Sequence, residues 1–567
     1  MNKIIEMKKI ALIICFLLSV IICALGQQEE AWQDDLDYLV ERIEIMHPDP
    51  YAFYPRDEFY KLKERLFKEI PKLSDVDIVL SISEMLATLQ DGHTRWAFEH
   101  SDPQWLQQSF HVLPVIHYAF EDGIYIMAGL KQYQSLVGLK VIQIGEIPID
   151  EVTAKLGKMW SHDNQFGEKK FLYYTLSMAE MLKKAGVVED KGEITMVLQN
   201  GQDEKITVQL PLVDFFTMAP IFGGSWYPQT GNNLIAMNQE ADNPLPLWLR
   251  NPAEKFWFDY IEEEKIMFLE INSLNFPHGN GRERSPFGIL CDQFFETFDQ
   301  SGAEKMVIDI RTNTGGNHVE LPLLEGIMAR PDINRPDRLF LITGRVTFSA
   351  AVHLTTILKR FTNITIIGEP TSGRPNHYGA VRAFRLPNHP QVEIHCSVDY
   401  YQDSEPFDFN IANMPDIITK MSAAEYQNNI DPAMRAVKNY DRITDFIKTL
   451  TFELEQAYAD NRIPGIKKEY YSNKQLILES CYNPEEFFTG FYYNFLSNII
   501  NNTDDLIDYL LFALSECPES IDLSYSLAVQ LESAERINEA KEMYERCLEL
   551  NPAHHYAKMR FGLIELK

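Results

Sequence analysis

The sequence predicts an α/β protein of several domains, and three observations carry that reading. Short apolar runs alternate with helical segments between about 262 and 435, the arrangement of a parallel sheet with helices on its faces. From 106 to 212 the apolar residues alternate in short hairpin-like pieces, and beyond 436 the pattern is helical throughout. At 567 residues the chain is too long for one core. Its 45% hydrophobic and 24% charged residues exclude global disorder. A formal net charge of -30 argues against a nucleic-acid binder, because phosphates demand clustered Lys and Arg.

Residues 1–26 read as a secretory signal peptide. Lys3, Lys8 and Lys9 precede the run IALIICFLLSVIICAL, and Ala24-Leu25-Gly26 is a small-x-small cleavage site. A membrane anchor is the weaker reading, since roughly 16 apolar residues fall short of the ~20 a spanning helix needs. Cys23 follows Ile22, where a lipoprotein signal carries a small residue. The mature chain is therefore expected to be periplasmic or secreted, in a bacterial envelope, with no membrane span. Cys15 and Cys23 leave with the signal. Cys291, Cys396, Cys481, Cys517 and Cys547 remain, odd in number and without a CxxC pair, so neither a zinc site nor a disulfide framework is indicated.

Residues 27–105 form an N-terminal helical segment. AWQDDLDYLVERIEIMHP has helical spacing and stops at Pro48, and SDVDIVLSISEMLATLQDG starts at Ser74 or Asp75 and ends at Gly92. Residues 106–213 form a β domain, in which HVLPVIHYAF, DGIYIMAGL, LVGLKVIQIGEIPI and EITMVLQNGQDEKITVQL read as strands. Residues 214–261, rich in Gly, Pro, Asn and Trp, read as a loop-rich connection. The βαβ core spans 262–440, with KIMFLEINSL, KMVIDIR, RLFLITG and ITIIGEP as buried strands and HVELPLLEGIMAR and SAAVHLTTILKRF as helices. In 441–567, Pro484, Pro518 and Pro552 recur at the 34-residue period of tetratricopeptide repeats, with small Ala528 and Ala540 where paired helices approach. The plainer alternative is a helical bundle with coincident prolines. Repeats of this kind predict a protein partner.

Three short stretches carry chemistry. In VIDIRTNTGGN (307–317) a buried strand ends in a turn where Gly315 and Gly316 can expose backbone N–H groups. In TFSAAVH (347–353) Ser349 opens a helix whose first N–H groups, Ala350 among them, lack partners. Gly315, Gly316 and Ala350 could thus form an oxyanion hole around Ser349 as nucleophile. The bland reading makes Ser349 an ordinary N-cap. LQDGHTRW (89–96) supplies His93.

Together and in this order, these stretches resemble the tail-specific (C-terminal-processing) and tricorn-like serine peptidases, over about 75–435. PDI at 415–417 and DPAMRAV at 431–437 resemble the end of that family's core. The resemblance implies a ClpP/crotonase-like catalytic core, a PDZ-like β domain signalled by GLKVIQIGEIPIDEV, and no metal or organic cofactor. The tail-specific branch uses a Ser/Lys dyad with lysine in a TxGK stretch. Here the stretch is Thr371-Ser372-Gly373-Arg374, and arginine cannot serve as a base. The tricorn-like branch recruits a histidine, which points to His93, an imidazole able to take the hydroxyl proton and return it to the leaving amine. A structural His93 is the alternative, because dyad members carry a similar stretch. An orienting acid is expected in VDYYQDSEPFDF, from Asp403 or Glu405. Asp403 is preferred, since Pro406 suggests a turn carrying Glu405 outward. Arg374 could instead hold a substrate carboxylate, while His318, His353 and His377 are pocket-wall or packing residues. The expected function is an exported serine peptidase acting on peptides or proteins. The competing reading, kept open by the missing lysine, is an inactive family member that binds peptides or proteins.

Overall fold

The computed structural model describes residues 27–189, 192–222, 226–231, 233–278, 284–406, 408, 410–479, 484–497, 502–552 and 554–565. The signal peptide and Cys481 lie outside these residues.

The βαβ core is built on one six-stranded sheet. Ile266–Ile271, Lys305–Asp309, Leu339–Thr343, Thr365–Gly368 and Ile417–Ile418 run parallel in that order. Their side chains sort by twos to opposite faces. Met267, Leu269, Met306, Ile308, Leu339 and Leu341 pack beneath the helices Pro286–Ser301 and Ala350–Phe361. Phe268, Val307, Phe340, Ile342 and Ile367 pack with Ala433, Met434 and Val437 of the helix Pro432–Lys438 on the other face. Burial on both sides explains why the strands read as continuous apolar runs. The sixth strand, Phe256–Ile261, is antiparallel to Ile266–Ile271 and closes the edge. It falls inside the stretch read as a loop-rich connection, as does Leu234–Ala236, which pairs with Gly123–Leu130 in the β domain. Six residues of strand are too few to show periodicity among surrounding Pro, Asn and Trp.

The β domain contains the strands Val115–Phe120, Gly123–Leu130, Lys140–Ile144, Glu193–Gln199 and Lys205–Pro211. Between Lys140–Ile144 and Glu193–Gln199 it carries three helices, Ile149–Leu156, Gln165–Thr175 and Ala179–Lys184, which the strand pattern did not anticipate. The N-terminal helices 27–46, Arg56–Glu69 and Asp75–Ala87 share one hydrophobic core with this domain, and Leu386, Val392 and Ile394 join it. Ser74 is the N-cap of the third of these, accepting from Asp77 N–H.

Helices fill the tail: 440–479, kinked at Asn461 and Arg462, then Pro484–Phe491, Thr503–Glu516, Ile521–Ser533, Ile537–Leu550 and His555–Glu565. Pro518 and Pro552 lie in links between helices, while Pro484 opens one. Ala528, Ala540, Leu527, Leu531 and Tyr544 are buried in a core separate from the rest of the molecule. Among the described residues no helix is long and apolar enough to cross a membrane.

Candidate active site

Ser349 sits where the strand Leu339–Thr343 turns into the helix Ala350–Phe361, and its backbone is strained. Its φ of 56° and ψ of -127° lie where a side chain is rarely tolerated. The Ser349 side chain caps nothing in that helix, so the ordinary N-cap reading fails. Such a turn lifts a hydroxyl clear of the backbone and presents it to a ligand. The surrounding bonds hold the geometry: Thr347 Oγ1 donates to Ile310 O at 3.0 Å, Phe348 N–H to Asn313 O at 3.1 Å, and Ser372 N–H to Thr347 O at 3.0 Å.

The glycine turn lies directly against this serine. A Cβ on Gly315 would stand 2.7 Å from Ser349 Cβ and 2.9 Å from Ala350 N, and Gly315 has φ of 105°. Only glycine permits that approach. Its N–H, however, donates to Asn313 Oδ1 at 2.8 Å. Gly315 is therefore not a free oxyanion donor, and its role is clearance. Gly316, with φ of 143°, bridges to Leu274, and neither its N–H nor that of Ala350 has a hydrogen-bond partner among the described residues. Those two remain as candidate oxyanion donors.

His93 arrives from a distant part of the chain. The turn after Asp75–Ala87 leads through Asp91-Gly92-His93-Thr94 into Arg95–Trp96, which pairs with Glu393–Cys396. Asp91 pins the turn, accepting from His47 Nε2 at 3.0 Å, Thr94 Oγ1 at 2.6 Å, Ser397 Oγ at 2.7 Å and the His93 N–H at 2.9 Å. Those bonds hold its carboxyl well below the usual carboxylate range despite burial. Gly92 N–H donates to Asp163 Oδ1 at 2.6 Å, and a Cβ there would meet Phe348 Cζ at 2.9 Å. The His93 ring stacks on Phe348, the residue before Ser349, with centroids 4.4 Å apart. Both ring nitrogens are buried without a hydrogen-bond partner, and burial depresses its pKa to about 4. A buried polar group left unpaired is uncommon and points to function.

The expected orienting acids lie elsewhere. Asp403 Oδ2 is 2.7 Å from His353 Nδ1, a charge contact out of line for a hydrogen bond, and Glu405 pairs with Arg360 at 3.0 Å. Neither pairs with a His93 ring nitrogen. Among the described residues the carboxylate nearest the His93 ring nitrogens is that of Asp91, with Oδ1 3.9 Å from Nδ1. Arg374 is also displaced from its expected role. It is buried, donates to Gln90 O at 2.8 Å and stacks over Phe53 at 3.9 Å, so it ties two segments together rather than facing substrate. His353 is excluded as base: each of its nitrogens is 2.7 Å from a carboxylate oxygen, of Glu320 and Asp403, which raises its pKa to about 9.

Ser349 and His93 line one cavity of about 730 Å³. Its walls are strongly apolar, with Phe98, Trp160, Phe171, Trp226 and Trp248 among them. Lys170, from the helix Gln165–Thr175, lines it too, and sequence reasoning missed this residue. Its Nζ lies 4.4 Å over the Phe348 ring and 3.4 Å from Ser372 Oγ, and burial depresses its pKa to about 7. The only sequence signal was a lysine inside an aromatic helix, KKFLYY, which is an ordinary surface pattern.

The fold is similar to that of CPAF. It overlays a Ser-to-Ala mutant of CPAF with a TM-score of 0.52 at 12% identity, covering 74% of this chain and 98% of that one. Overlays on the photosystem II D1 C-terminal processing protease and on the tricorn protease are looser, with TM-scores of 0.32 and 0.31. The first is 16% identical over 72% of this chain and 97% of that one; the second is 12% identical over 72% and 36%. No protein-family model and no curated protein sequence matches the chain.

Proposed function

We propose that this chain is an exported serine peptidase that hydrolyses peptide bonds. Ser349 Oγ attacks the scissile carbonyl and His93 takes its proton. The N–H groups of Gly316 and Ala350 hold the oxyanion, and His93 returns the proton to the leaving amine. Water then releases the acyl group by the reverse proton route. The observation that carries this reading is a serine on a strained turn, capping nothing, in the same cavity as a buried histidine with two unpartnered nitrogens. The apolar cavity walls favour substrates with large apolar side chains beside the scissile bond. Labelling of the purified protein by a fluorophosphonate probe tests the reading. Wild type is expected to label and Ser349→Ala to stay unlabelled; equal labelling of both would overturn it.

One observation favours a second choice of base. Lys170 reaches the TSGR stretch at Ser372, where the dyad branch keeps its lysine, and it is poised to be neutral near pH 7. Under this alternative Lys170, not His93, deprotonates Ser349.

A further inference from the structure

Beside the candidate active site stands a second cluster of ionisable groups that this mechanism leaves idle. His318 follows the glycine turn by two residues, and Glu320 precedes the helix Leu321–Met328. His353 lies one turn into the helix that Ser349 opens. Their ligand atoms all lie within 4.8 Å of one another: His353 Nε2 is 2.7 Å and His318 Nδ1 3.7 Å from Glu320 Oε1. Two imidazoles and a carboxylate at such separations match a donor set for a borderline cation. With metal–ligand bonds of about 2.0–2.2 Å, tetrahedral ligand atoms stand roughly 3.3–3.6 Å apart. The His318–Glu320 spacing is already close to that, and the 2.7 Å contact needs to open by under an ångström.

Two independent features point the same way. Glu320 is buried, at 2% exposure, yet its Oε2 has no hydrogen-bond partner. An uncompensated carboxylate oxygen in the interior is costly, and a cation would relieve it. Asp403 Oδ2 sits 2.7 Å from His353 Nδ1, behind the nitrogen that faces Glu320. The contact is out of line for a hydrogen bond as it stands, and a turn of the His353 ring on taking up a cation would complete the outer carboxylate that fixes ring orientation at metal centres. His318, with about a third of its side chain exposed, leaves an entry path and a fourth position for water.

We propose that His318, Glu320 and His353 form a binding site for a divalent cation of the zinc class, with Asp403 supporting His353. The site would join the glycine turn to the nucleophile helix, the two segments that supply Gly316 and Ala350. It does not depend on the peptidase reading, because its ligands include neither Ser349 nor His93. The test uses full-length Ser349→Ala protein, so that catalysis and self-cleavage play no part. Zn2+ is titrated by calorimetry against a competing chelator, and Co2+ by visible absorption. We expect one Zn2+ per chain and the intense bands of a four-coordinate Co2+ site. Adding His318→Ala or His353→Gln should each weaken Zn2+ binding at least tenfold, and Asp403→Asn less than either. His318 is the most exposed of the ligands, so its alanine variant is expected to keep the wild-type thermal transition and remains informative if His353→Gln unfolds. Absence of Zn2+ binding, or affinity unchanged within twofold in His318→Ala, would overturn the site.

Discussion

At the scale of single residues, the backbone of Ser349 makes a prediction that a simple cap could not. Holding a serine at φ 56° and ψ -127° costs about 1–3 kcal/mol, which glycine would not incur. Ser349→Gly is therefore expected to abolish hydrolysis while raising the urea midpoint, and Ser349→Ala to abolish it with the midpoint nearly unchanged. Loss of about 0.5–2 kcal/mol in Ser349→Ala would restore the N-cap reading. The base is decided by pH. If His93 acts, kcat/KM falls only as pH drops through its depressed pKa of about 4, and His93→Ala loses several orders of magnitude in kcat. If Lys170 acts, the acid limb lies near 7 and Lys170→Met is the crippling change. Arg374→Lys, which the TSGR stretch invites, is expected to have no catalytic benefit, since that side chain points at Gln90 and Phe53.

At the scale of elements, the site depends on two tight approaches between segments. Gly315→Ala puts a methyl 2.7 Å from Ser349 Cβ and 2.9 Å from a backbone nitrogen, at a φ that alanine resists. Neither neighbour is the far end of a flexible side chain. The expected outcome is loss of both fluorophosphonate labelling and stability, read from the labelled band and the thermal transition. A variant that melts normally and labels at the wild-type rate would show that the glycine turn is not packed on the nucleophile. Gly92→Ala meets side-chain atoms rather than backbone, the tip of the Phe348 ring at 2.9 Å and Asp163 Oδ1 at 3.1 Å, so a smaller effect on stability is expected there.

At the scale of the molecule, the histidines buried in neutral form contribute to the response to acid between pH 4 and 6.5. Burial lowers the pKa of His93, His117 and His377 to about 4 each. At these three sites the unfolded chain binds more protons than the folded one between that value and the ordinary 6.5, so their contribution to stability is full above 6.5 and declines as pH falls towards 4. Urea unfolding at pH 7.5 and pH 5 should show this loss, and His117→Leu should shrink the difference; an identical difference in that variant would remove His117 from the account. The tail has a core of its own and meets the rest through contacts such as Gln165 Nε2 to Glu519 Oε2 at 3.3 Å. Truncation after about residue 440 is expected to spare short-peptide hydrolysis and to weaken the handling of large substrates. Complete loss of short-peptide hydrolysis, in a core that still melts cooperatively, would make the tail part of the active site.

The sequence by itself determined the parallel sheet, because strands buried on both faces must be continuous apolar runs, and 266–271, 305–309, 339–343 and 365–368 are such runs. It also exposed Ser349, the glycine turn and His93, whose residue types are local and few. Other features were decided by tertiary structure alone. Asp403 and Glu405 lie one residue apart on either side of Ser404, and spacing cannot tell which neighbour each will meet; folding gives them to His353 and Arg360. Gly315 and Gly316 look alike in sequence, yet only the fold commits one N–H to Asn313. Lys170 and the cluster of His318, Glu320 and His353 carry no motif at all. Their chemistry arises from burial and from proximity across the chain, and both are properties of packing that no local pattern encodes.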